Sequence, residues 1–555
     1  MNVVVIGGGA AGLKAASRIR RKDAEAKITV VEAGKYVSLG RCGLPYYIGG
    51  LVHEIDNLRE TTYGAIRDEN YFKRLKNIDI LTLTKAIEID RKKRTVRVVN
   101  NGKEDELNYD YLVIATGSRP VKPPVEGIDA EGVTTLTSAE DAEKIIEMWE
   151  EGAEKAVVIG AGLIGLESAE ALKNLDMEVT VIEMMDRVAP TMLDRDIAIL
   201  VEKHLEEKGV KVLTNTRVEK IVEGDGKVKG VVANGKEISA DLVVVATGIR
   251  PNVELAERAG LKIGETGAIW VNEYMQTSDE RIYAGGDCVE TNHLVTGRKI
   301  IAPFGDVANK QGRVIGENIT GGRAVFPGVI NTAVFKIFDF TVAATGVNEA
   351  AAKDAGIEYM SVIAPGPDRA HYYPGTAYIR LKLLVEKGTW KVVGAQAAGM
   401  GEVAKRIDIL STAVQAGMTI DQLSNLDLAY APPYAPALDP VITAANVAMN
   451  KRDGMFEGIT VFELKEMLDR EDGIFILDVR SEDEFERNHI SSEKVANIPL
   501  LELRERLSEI PRDKEIVIVT VCALGLRSYE AARILKGAGF EKVKVLEGGM
   551  AFWFE

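Results

Sequence analysis

The hydrophobic pattern of the chain contains the same strand–helix–strand arrangement twice. The first copy starts with the apolar run Val3–Ile6, passes through a glycine turn into a helical apolar pattern, and reaches a second apolar run, Ile28–Val31. Residues 156–183 repeat this order. Continuous apolar runs joined by a helix are typical of the parallel strands of a βαβ unit. The pattern therefore predicts an α/β fold with two such units.

Each unit has the spacing G-x-G-x-x-G at its turn and an acidic residue after its second strand. The first glycine permits a tight turn, the second lets a pyrophosphate approach the backbone, and the third lets the helix pack on the strand. The phosphate then lies at the helix N-terminus, and the acid accepts a ribose hydroxyl. Two complete units predict two dinucleotide sites, formed by Gly7, Gly9, Gly12 and Glu32 and by Gly160, Gly162, Gly165 and Glu183.

Composition narrows the classes of function. The chain has 555 residues, of which 46% are hydrophobic and 28% charged, as expected for a soluble protein of several domains. A formal net charge of −15 disfavours nucleic acid and anionic membranes as partners. Without an apolar run of membrane-spanning length or a leader sequence, we expect a cytoplasmic protein. Three widely spaced cysteines then predict free or catalytic thiols rather than disulfides.

Cys42 lies in the segment SLGRCGLPYY, residues 38–47, shortly after the first dinucleotide unit. No second cysteine is near it in sequence, so this thiol must cycle as a thiolate, a sulfenate or a mixed disulfide with an external thiol. Arg41 precedes it, and a neighbouring guanidinium lowers the pKa of a thiol. We therefore expect a redox nucleophile with a lowered pKa; the alternative is a solvated arginine without this effect.

Further segments extend the dinucleotide pattern. Two strands end in Ala-Thr-Gly, the first at Thr116–Gly117, and RIYAGGDCVE places Asp287 after a strand and two glycines. Together with the paired units, these segments resemble the flavin disulfide reductase superfamily. The resemblance implies that the first unit binds FAD, that the second binds NAD(P)H, and that Asp287 bonds the ribityl chain of the flavin. Glu183 favours NADH, whereas Arg187 is placed to accept the 2′-phosphate of NADPH, so both nucleotides remain open.

The segment around Cys42 is similar to the signature S-F-x-N-C-[GA]-x-P-Y of the single-cysteine branch, which contains NADH oxidases, peroxidases and coenzyme A-disulfide reductases. Ser38 matches this signature, whereas Arg41 replaces its asparagine; the resemblance implies that both lie beside the cofactor. The histidine that oxidases carry near the flavin is missing. The first helix instead offers Arg18 and Arg21, three residues apart, to the phosphates of coenzyme A. A solvated helix face is the alternative.

Two tyrosine segments, HYYPGT at residues 371–376 and DLAYAPPYAPALDPV at residues 427–441, resemble segments of the coenzyme A-disulfide reductases. In that family they belong to the dimerisation domain and reach the cysteine of the other subunit. The resemblance thus implies a homodimer in which Tyr430 and Tyr373 (or Tyr372) donate a proton to a leaving thiolate. Core tyrosines are the alternative.

The last part of the chain starts a new pattern after a polar, glycine-broken segment. The loop Cys522–Ser528 has the spacing C-x-x-G-x-R-S between a predicted strand and helix. Its inward amides and the helix dipole stabilise a thiolate or persulfide at Cys522, and Arg527 adds positive charge. This part resembles a rhodanese domain; a phosphatase, which also uses C-x5-R, is the alternative. An insertion in the preceding segment leaves the role of His489 open.

The whole chain resembles the fusions of coenzyme A-disulfide reductase with rhodanese, which are NAD(P)H-dependent persulfide reductases. This implies an α/β fold with two Rossmann-like dinucleotide-binding domains, an α+β dimerisation domain and a C-terminal rhodanese-like α/β domain. The expected boundaries are 1–118 and 248–325 for the FAD-binding domain, 119–247 for the NAD(P)H-binding domain, 326–448 for the dimerisation domain, 449–457 for a linker and 458–555 for the rhodanese domain.

The predicted function is FAD-dependent reduction of coenzyme A persulfide, polysulfide or coenzyme A disulfide by NAD(P)H. Cys42 is the predicted redox cysteine and Cys522 the predicted carrier of sulfane sulfur. The expected cofactors are FAD, NAD(P)H and coenzyme A, without a metal ion. Two alternatives stay open: an NADH oxidase that passes electrons to dioxygen, and a sulfur-carrier protein with a vestigial redox core.

Overall fold

The computed structural model describes residues 1–470 and 473–554 of the chain. Residue 555, at which the predicted rhodanese domain ends, therefore lies outside the described residues. Strands and helices alternate through much of the described chain, which confirms the α/β prediction. Within these residues, no helix combines the length and the apolar character needed to cross a membrane.

The chain divides into two compact units. Residues 1–186 and 205–329 form the first unit, and residues 187–204 and the described residues from 330 onward form the second. The domain boundaries predicted from the sequence are finer than this division and stay predictions.

The first predicted βαβ unit is present as strand β1, helix α1 and strand β2. β1 reads NVVVI and is buried from its second residue onward, because a parallel strand inside a sheet has both faces covered. α1 has three basic residues in its last turn, where the negative end of the helix dipole stabilises positive charge. The elements up to residue 150 are β1 Asn2–Ile6, α1 Ala10–Lys22, β2 Lys27–Val31, α2 Leu44–Ile48, α3 Glu69–Lys76, β3 Asp79–Leu81, β4 Thr84–Asp90, β5 Thr95–Asn100, β6 Lys103–Asn108, β7 Tyr111–Ile114, β8 Ser118–Pro120, β9 Val133–Thr134 and α4 Ala139–Glu150.

The second predicted βαβ unit is present as β10, α5 and β11, with the same parallel pairing of its two strands. The elements that follow α4 in the chain, up to residue 319, are β10 Lys155–Ile159, α5 Leu163–Asn174, β11 Glu178–Ile182, α6 Arg195–Glu207, β12 Val210–Leu213, β13 Val218–Gly224, β14 Lys227–Ala233, β15 Lys236–Ser239, β16 Leu242–Val245, β17 Ile249–Pro251, α7 Glu254–Arg258, β18 Ile282–Ala284, β19 Thr291–Asn292, β20 Lys299–Ile300 and α8 Gly305–Ile319.

Two five-stranded parallel sheets organise the first unit. Their strand orders are β18-β7-β1-β2-β3 and β12-β11-β10-β16-β9. In each sheet the first strand of the βαβ unit, β1 or β10, is central, so the glycine turn after it lies in the middle of the carboxyl edge. In open parallel sheets this is the edge at which ligands bind.

A six-stranded antiparallel sheet forms the first part of the second unit, with the order β21-β22-β26-β25-β23 and with β24 paired to β25. All eight residues of β26 are buried, and α10 and α12 pack against the sheet. The elements are β21 Ala333–Ile337, β22 Phe340–Gly346, α9 Glu349–Asp354, β23 Tyr359–Ile363, β24 Gly366–Pro367, β25 Tyr378–Glu386, β26 Val392–Gly399, α10 Val403–Ala416, α11 Ile420–Ser424 and α12 Pro440–Arg452.

Lys382 is a buried cation within this part of the second unit. Its Nζ lies 3.1 Å from Asp194, 2.7 Å from Asp196 and 2.7 Å from Glu349. Burial alone would lower the pKa of Lys382, but the three carboxylates outweigh it and raise this pKa. The same lysine therefore holds β25, α9 and the segment 187–204 together.

A five-stranded parallel sheet of order β27-β31-β30-β28-β29 forms the rest of the second unit. Strand β30 is buried from its second residue and is followed directly by the predicted cysteine loop, which leads into α15. The elements are β27 Gly458–Ile459, α13 Val461–Asp469, β28 Ile474–Asp478, α14 Glu482–Arg487, β29 Val495–Asn497, β30 Val517–Val521, α15 Leu526–Gly537 and β31 Val543–Leu546.

Candidate active site

The two glycine turns of the first unit have matching geometry. Gly7 and Gly160 have φ values of +112° and +103°, which favour glycine. A Cβ at Gly7 would lie 2.1 Å from the carbonyl oxygen of Ala115, and one at Gly160 would lie 2.4 Å from that of Ala246. Both turns are thus closed by a neighbouring strand end, as the sequence motif requires.

The second glycine of each turn faces open space. Gly9 and Gly162 are the N-caps of α1 and α5, and among the described residues no side chain caps either helix. Apart from the glycine itself and its two chain neighbours, no described atom lies within 4 Å of the position that a Cβ would take at Gly9 or Gly162. Uncapped helix N-termini beside open space fit a bound pyrophosphate. The third glycines, Gly12 and Gly165, fit their packing role, because a Cβ there would lie 2.0 and 1.9 Å from a turn carbonyl.

The two acidic residues hold the turns by accepting backbone hydrogen bonds. Glu32 accepts from the N–H groups of Gly8 (2.7 Å) and Gly34 (2.8 Å). Glu183 accepts from the N–H groups of Ala161 and Met185, both at 2.8 Å. Each carboxylate oxygen retains a lone pair for a ribose hydroxyl. Both acids are therefore placed as the motif predicts.

Asp287 lies beside the Thr116–Gly117 turn of the first unit. The Thr116 hydroxyl donates to the carbonyl oxygen of Asn252 (2.7 Å), and the Ser118 hydroxyl donates to Asp287 (2.9 Å). Burial raises the pKa of Asp287, although Ser118 opposes this. Cys288 is fully buried, with its Sγ 3.4 Å from the carbonyl oxygen of Gly285.

Cys42 lies in a single 3-10 turn, Arg41–Gly43, directly before α2. The N–H of Ser38 donates to the carbonyl oxygen of Gly8 (3.0 Å), which holds the start of this segment against the first glycine turn. All three cysteines are free thiols, as predicted, and Cys42 is the exposed one. An exposed thiol on a segment anchored to a dinucleotide turn is accessible to an external sulfur compound.

The pKa of Cys42 is raised, so the expected lowering by Arg41 is wrong. Although the residue reaches the surface, protein atoms remove part of its solvent, and this partial burial raises the pKa. The negative charge of Glu167 raises it further. The Arg41 guanidinium is exposed and instead lowers the pKa of Asp287. Adjacency in sequence did not bring the cation to the sulfur.

Glu167 is a site residue that the sequence analysis missed. It lies on α5, which packs against α2, and its charge also contributes, after burial, to a raised pKa of Tyr46. No motif marks it, because its role depends on contact between two helices distant in sequence.

The two arginines of α1 do not act as a pair. The Nε of Arg18 donates to Glu317 on α8 (2.8 Å), which also accepts from Lys22 (3.0 Å). Arg21 is exposed on the next turn. Only Arg21 therefore keeps its charge available to a phosphate.

A basic group around Arg21 was also missed from the sequence. Burial lowers the pKa of Lys76 on α3, and the positive charges of Arg21, Arg67 and Lys14 lower it further. The Nζ of Lys76 donates to the Ser17 hydroxyl (2.9 Å). Positive charges from α1, α3 and the loop before α3 therefore lie near one another, whereas the sequence analysis predicted a basic face on α1 alone.

The predicted tyrosines lie on two loops of the second unit. Tyr430 is 57% exposed and Tyr373 is 38% exposed, so neither is a core tyrosine. The loops are joined by a hydrogen bond from the N–H of Ala370 to the carbonyl oxygen of Pro432 (3.1 Å). Both tyrosines are therefore available at the surface on linked segments.

Arg406 on α10 fastens both tyrosine loops. It is fully buried, and its Nη2 donates to the carboxylate of Asp439 (2.9 Å), to the carbonyl oxygen of Asp368 (2.6 Å) and, at 3.4 Å, to that of Tyr434. Asp439 is itself the N-cap of α12 and accepts from the N–H of Val441. One guanidinium thus fixes the start of one loop and the end of the other.

Cys522 lies at the base of the second unit's cysteine loop and is 2% exposed. The N–H of Gly525 points at its Sγ (3.1 Å), and the Ser528 hydroxyl lies 3.4 Å from it. Gly525 has a φ of +115° and is the N-cap of α15. The loop therefore directs an amide and a helix N-terminus at the sulfur, as predicted.

Arg527 is not a free cation. Its two terminal nitrogens donate to the two carboxylate oxygens of Glu484 on α14, both at 2.7 Å. The hydrogen bonds from Arg527 lower the pKa of Glu484 to about 2. His489 is exposed, and its ring stacks on Phe485 with centroids 4.3 Å apart.

The first unit has two dinucleotide-binding turns and an exposed cysteine, and the second unit has a cysteine loop between a strand and a helix. This combination defines the class of an oxidoreductase with two dinucleotide sites and a sulfurtransferase-like domain. Residues 1–311 match the description "Pyridine nucleotide-disulphide oxidoreductase", and residues 332–442 match the dimerisation domain of the same name. The chain belongs to this family. Residues 460–555 match a rhodanese-like domain, which confirms that resemblance.

Three relatives illustrate the similarity. A solved structure described as an NAD-dependent persulfide reductase from A. fulgidus is 79% identical over 100% of both chains, with a TM-score of 0.96. A curated "NADH oxidase" from Methanocaldococcus jannaschii is 43% identical over 81% of this chain and 99% of its own length. A curated "NAD(P)H coenzyme A polysulfide/persulfide reductase" from Pyrococcus horikoshii is 40% identical over 80% of this chain and 98% of its own.

Proposed function

We propose that the protein is a flavoprotein that reduces coenzyme A persulfide, polysulfide and coenzyme A disulfide with NAD(P)H. The observation that carries this proposal is the exposed Cys42 on a segment that is anchored to a dinucleotide turn through Ser38. The only other cysteine of the first unit, Cys288, is fully buried. A lone accessible thiol reacts with an external sulfur–sulfur bond rather than with a second thiol of its own unit. The relatives from A. fulgidus and P. horikoshii support the same substrate class.

The glycine turns fit the two dinucleotides, because each presents an uncapped helix N-terminus, open space and an ordered acid. When bound, FAD supplies the electron pair of NAD(P)H to a sulfur–sulfur bond. The residues that would hold FAD are Gly7, Gly9, Gly12, Glu32, Ser38, Arg41, Thr116, Gly117 and Asp287, and those for NAD(P)H are Gly160, Gly162, Gly165 and Glu183.

Cys42 is the proposed nucleophile. Its thiolate attacks the outer sulfur of coenzyme A persulfide; the sulfur–sulfur bond breaks, the coenzyme A thiolate leaves, and Cys42 carries the outer sulfur as a persulfide. Two electrons then cleave that persulfide into the Cys42 thiolate and hydrosulfide, so one NAD(P)H is consumed for each sulfide released. Coenzyme A disulfide would leave a mixed disulfide on Cys42 instead.

The basic group of the first unit supports coenzyme A as the carrier of this sulfur. Lys14, Arg21, Arg67 and Lys76 supply positive charge from three elements, and charge-assisted hydrogen bonds to phosphate are the strong ones. Arg18 is already paired with Glu317 and supports the helix rather than the ligand.

The match to a dimerisation domain supports a homodimer, in which the exposed Tyr430 and Tyr373 would face the partner's site. As acids with ordinary access to solvent, they would donate a proton to the thiolate that leaves the partner's Cys42. The dimerisation domain named in the family description agrees with this assembly. The cytoplasmic location predicted from the sequence stays a prediction.

The rhodanese-like domain would carry sulfane sulfur on Cys522. The Gly525 amide and the N-terminus of α15 face the sulfur and suit an anionic persulfide. Sulfur bound there would be delivered to coenzyme A or to Cys42.

NADH oxidation by dioxygen is the second candidate, and the name of the M. jannaschii relative is the observation that favours it. The two candidates differ in their electron acceptor. Oxygen uptake and sulfide release are therefore measured per NADH, with and without coenzyme A persulfide. Oxygen uptake equal to NADH loss, without sulfide, would exclude persulfide reduction.

Two serine variants of the holoenzyme test the proposed roles. Cys42→Ser should abolish sulfide release while FAD stays bound, as read from the flavin absorbance. Cys522→Ser, the matched control, should retain reduction of coenzyme A persulfide and lose reactions that need the rhodanese loop. Sulfide release by Cys42→Ser would place the chemistry elsewhere.

A further inference from the structure

The single positive charge in the cysteine loop of the rhodanese-like domain is neutralised by a carboxylate from a neighbouring helix. Between Cys522 and Ser528, Arg527 is the only charged residue. Both of its terminal nitrogens are bound by Glu484, at 2.7 Å each. Because the pKa of Glu484 is lowered to about 2, this carboxylate stays ionised at physiological pH and offsets the guanidinium. An incoming anion can therefore bind to the backbone amides of the loop, but the loop itself has no unpaired cation to bind it.

Arg480 of the same domain is a second guanidinium that is already bound. Arg480 donates through Nη2 to Asp478 (2.6 Å) and to the carbonyl oxygen of Asn488 (2.6 Å). Both members of this pair are buried, and Asp478 acts electrostatically on Arg527. A dianionic substrate loses hydration when it binds and needs free positive charge to offset that loss. Both arginines are already neutralised by carboxylates and do not supply it.

The mouth of the loop is apolar. Ala523 and Leu524 are half-buried, and Leu526, the first residue of α15, is 74% exposed. Such side chains can contact the carbon arm of a substrate and offer no partner to a sulfonate oxygen.

We propose that the Cys522 loop selects organic persulfides with an uncharged arm over the thiosulfate dianion, and that Glu484 sets this preference by neutralising Arg527. The proposal rests on the proposed role of Cys522 as a sulfur carrier. In the selected reaction, the Cys522 thiolate attacks the outer sulfur of R–S–SH. The sulfur–sulfur bond of the donor breaks, R–S⁻ leaves, and Cys522 keeps the outer sulfur with its proton as a persulfide. With thiosulfate the leaving group would be sulfite, whose charge the closed ion pair cannot stabilise.

The test uses the full FAD-loaded chain with Cys42→Ser, so that sulfur is not consumed by reduction. Loading of Cys522 is followed as the mass gain of one sulfur atom, with coenzyme A persulfide or thiosulfate at equal concentration. The uncharged pantetheine arm of coenzyme A lies next to its sulfur. A persulfide of N-acetylcysteamine, which lacks the nucleotide, separates recognition of the arm from recognition of the phosphates.

Glu484→Gln is the informative variant. Gln still accepts from Ser481 in the capping box of α14, so the helix start is preserved, while the charge opposite Arg527 is lost. Glu482→Gln on the same helix is the matched control, because Glu482 is exposed. We expect Glu484→Gln to load from thiosulfate ~10-fold faster than Glu482→Gln, which corresponds to about 1.4 kcal/mol. Loading from either persulfide should change by less than ~2-fold.

Salt provides a second readout. The freed guanidinium of Glu484→Gln attracts thiosulfate, so its loading rate should fall as ionic strength rises. Equal loading of the Glu484-containing chain by thiosulfate and persulfides would overturn the proposal, as would equal thiosulfate loading by the two glutamine variants. These measurements use no NAD(P)H, whereas failure of the proposed function would appear as absent NAD(P)H-dependent sulfide release by the chain with Cys42 intact.

Discussion

Replacing Arg406 by methionine should loosen both tyrosine loops of the second unit at once. The guanidinium is fully buried and donates to Asp439 (2.9 Å) and to the carbonyl oxygen of Asp368 (2.6 Å). Methionine retains the apolar stem but none of these donors. The loops that carry Tyr373 and Tyr430 would then lose their shared anchor.

The loss of stability at the loops is set mainly by the carboxylate of Asp439, which is left buried without its partner. Asp439 is 3% exposed, and removing one partner of a buried ion pair costs about 3–5 kcal/mol. The lost bond to the Asp368 carbonyl adds about 1 kcal/mol. Adding Asp439→Asn removes the unpaired charge, while the amide oxygen still accepts from the N–H of Val441. The double variant should therefore recover most of the loss.

Hydrogen exchange measured by mass spectrometry is the assay, because a chain of several domains does not unfold in one step. The reporters are the N–H of Ala370, bonded to Pro432, and the N–H of Ala377, bonded to Asp368 (3.0 Å). A loss of about 4 kcal/mol, the lower end of this sum, speeds exchange through local opening by roughly 1,000-fold. A peptide from β10 in the first unit is the control.

Two results would refute this reasoning. Exchange at both loops within ~2-fold of the parent chain would mean that Arg406 does not hold them. A double variant that exchanges faster than Arg406→Met alone would mean that the unpaired carboxylate is not the main cost. If the loops open as expected, sulfide release should fall while the flavin content is unchanged, since the tyrosines lose their positions.

Three further predictions concern charge. Glu167→Gln removes a charge that raises the pKa of Cys42, so alkylation of Cys42 in the holoenzyme should reach half its limiting rate at lower pH; an unchanged midpoint would contradict this. Lys382→Met leaves the buried Asp194 and the partly buried Asp196 and Glu349 without their cation. It should lower the thermal midpoint of the second unit by several degrees at neutral pH, and less at acidic pH, where these carboxylates accept protons. Arg21→Gln should raise KM for coenzyme A persulfide several-fold but not for N-acetylcysteamine persulfide, with Lys22→Gln as control.

The sequence alone predicted the parts of the site that depend on local backbone geometry. Gly7 and Gly160 are required because their φ values are positive and a neighbouring carbonyl oxygen lies close. The spacing of such glycines is written directly in the sequence. The same holds for the Cys522 loop, in which Gly525 turns the chain into α15 within a few residues.

The charges around the two cysteines were not predictable in this way. Glu167 acts on Cys42 from another helix, and Glu484 cancels Arg527 from α14. No sequence pattern distinguishes these two carboxylates from ordinary surface residues, because their roles arise only when distant elements pack together. Arg41 shows the converse, because it is adjacent to Cys42 in sequence and yet its charge acts on Asp287.

The two reactive cysteines have opposite surroundings, and this suits different tasks. Cys522 is buried with an amide donor and a helix N-terminus at its sulfur, so a negatively charged persulfide is stabilised there and protected from solvent. Cys42 is exposed, and both partial burial and Glu167 disfavour its anion. In the proposed function, an anionic persulfide would therefore be held at Cys522, and reduction would take place at Cys42. Under the proposed function, a transfer of sulfur from Cys522 to Cys42 would move it to a site that disfavours the anion, and reduction of the persulfide with NAD(P)H would draw this transfer forward.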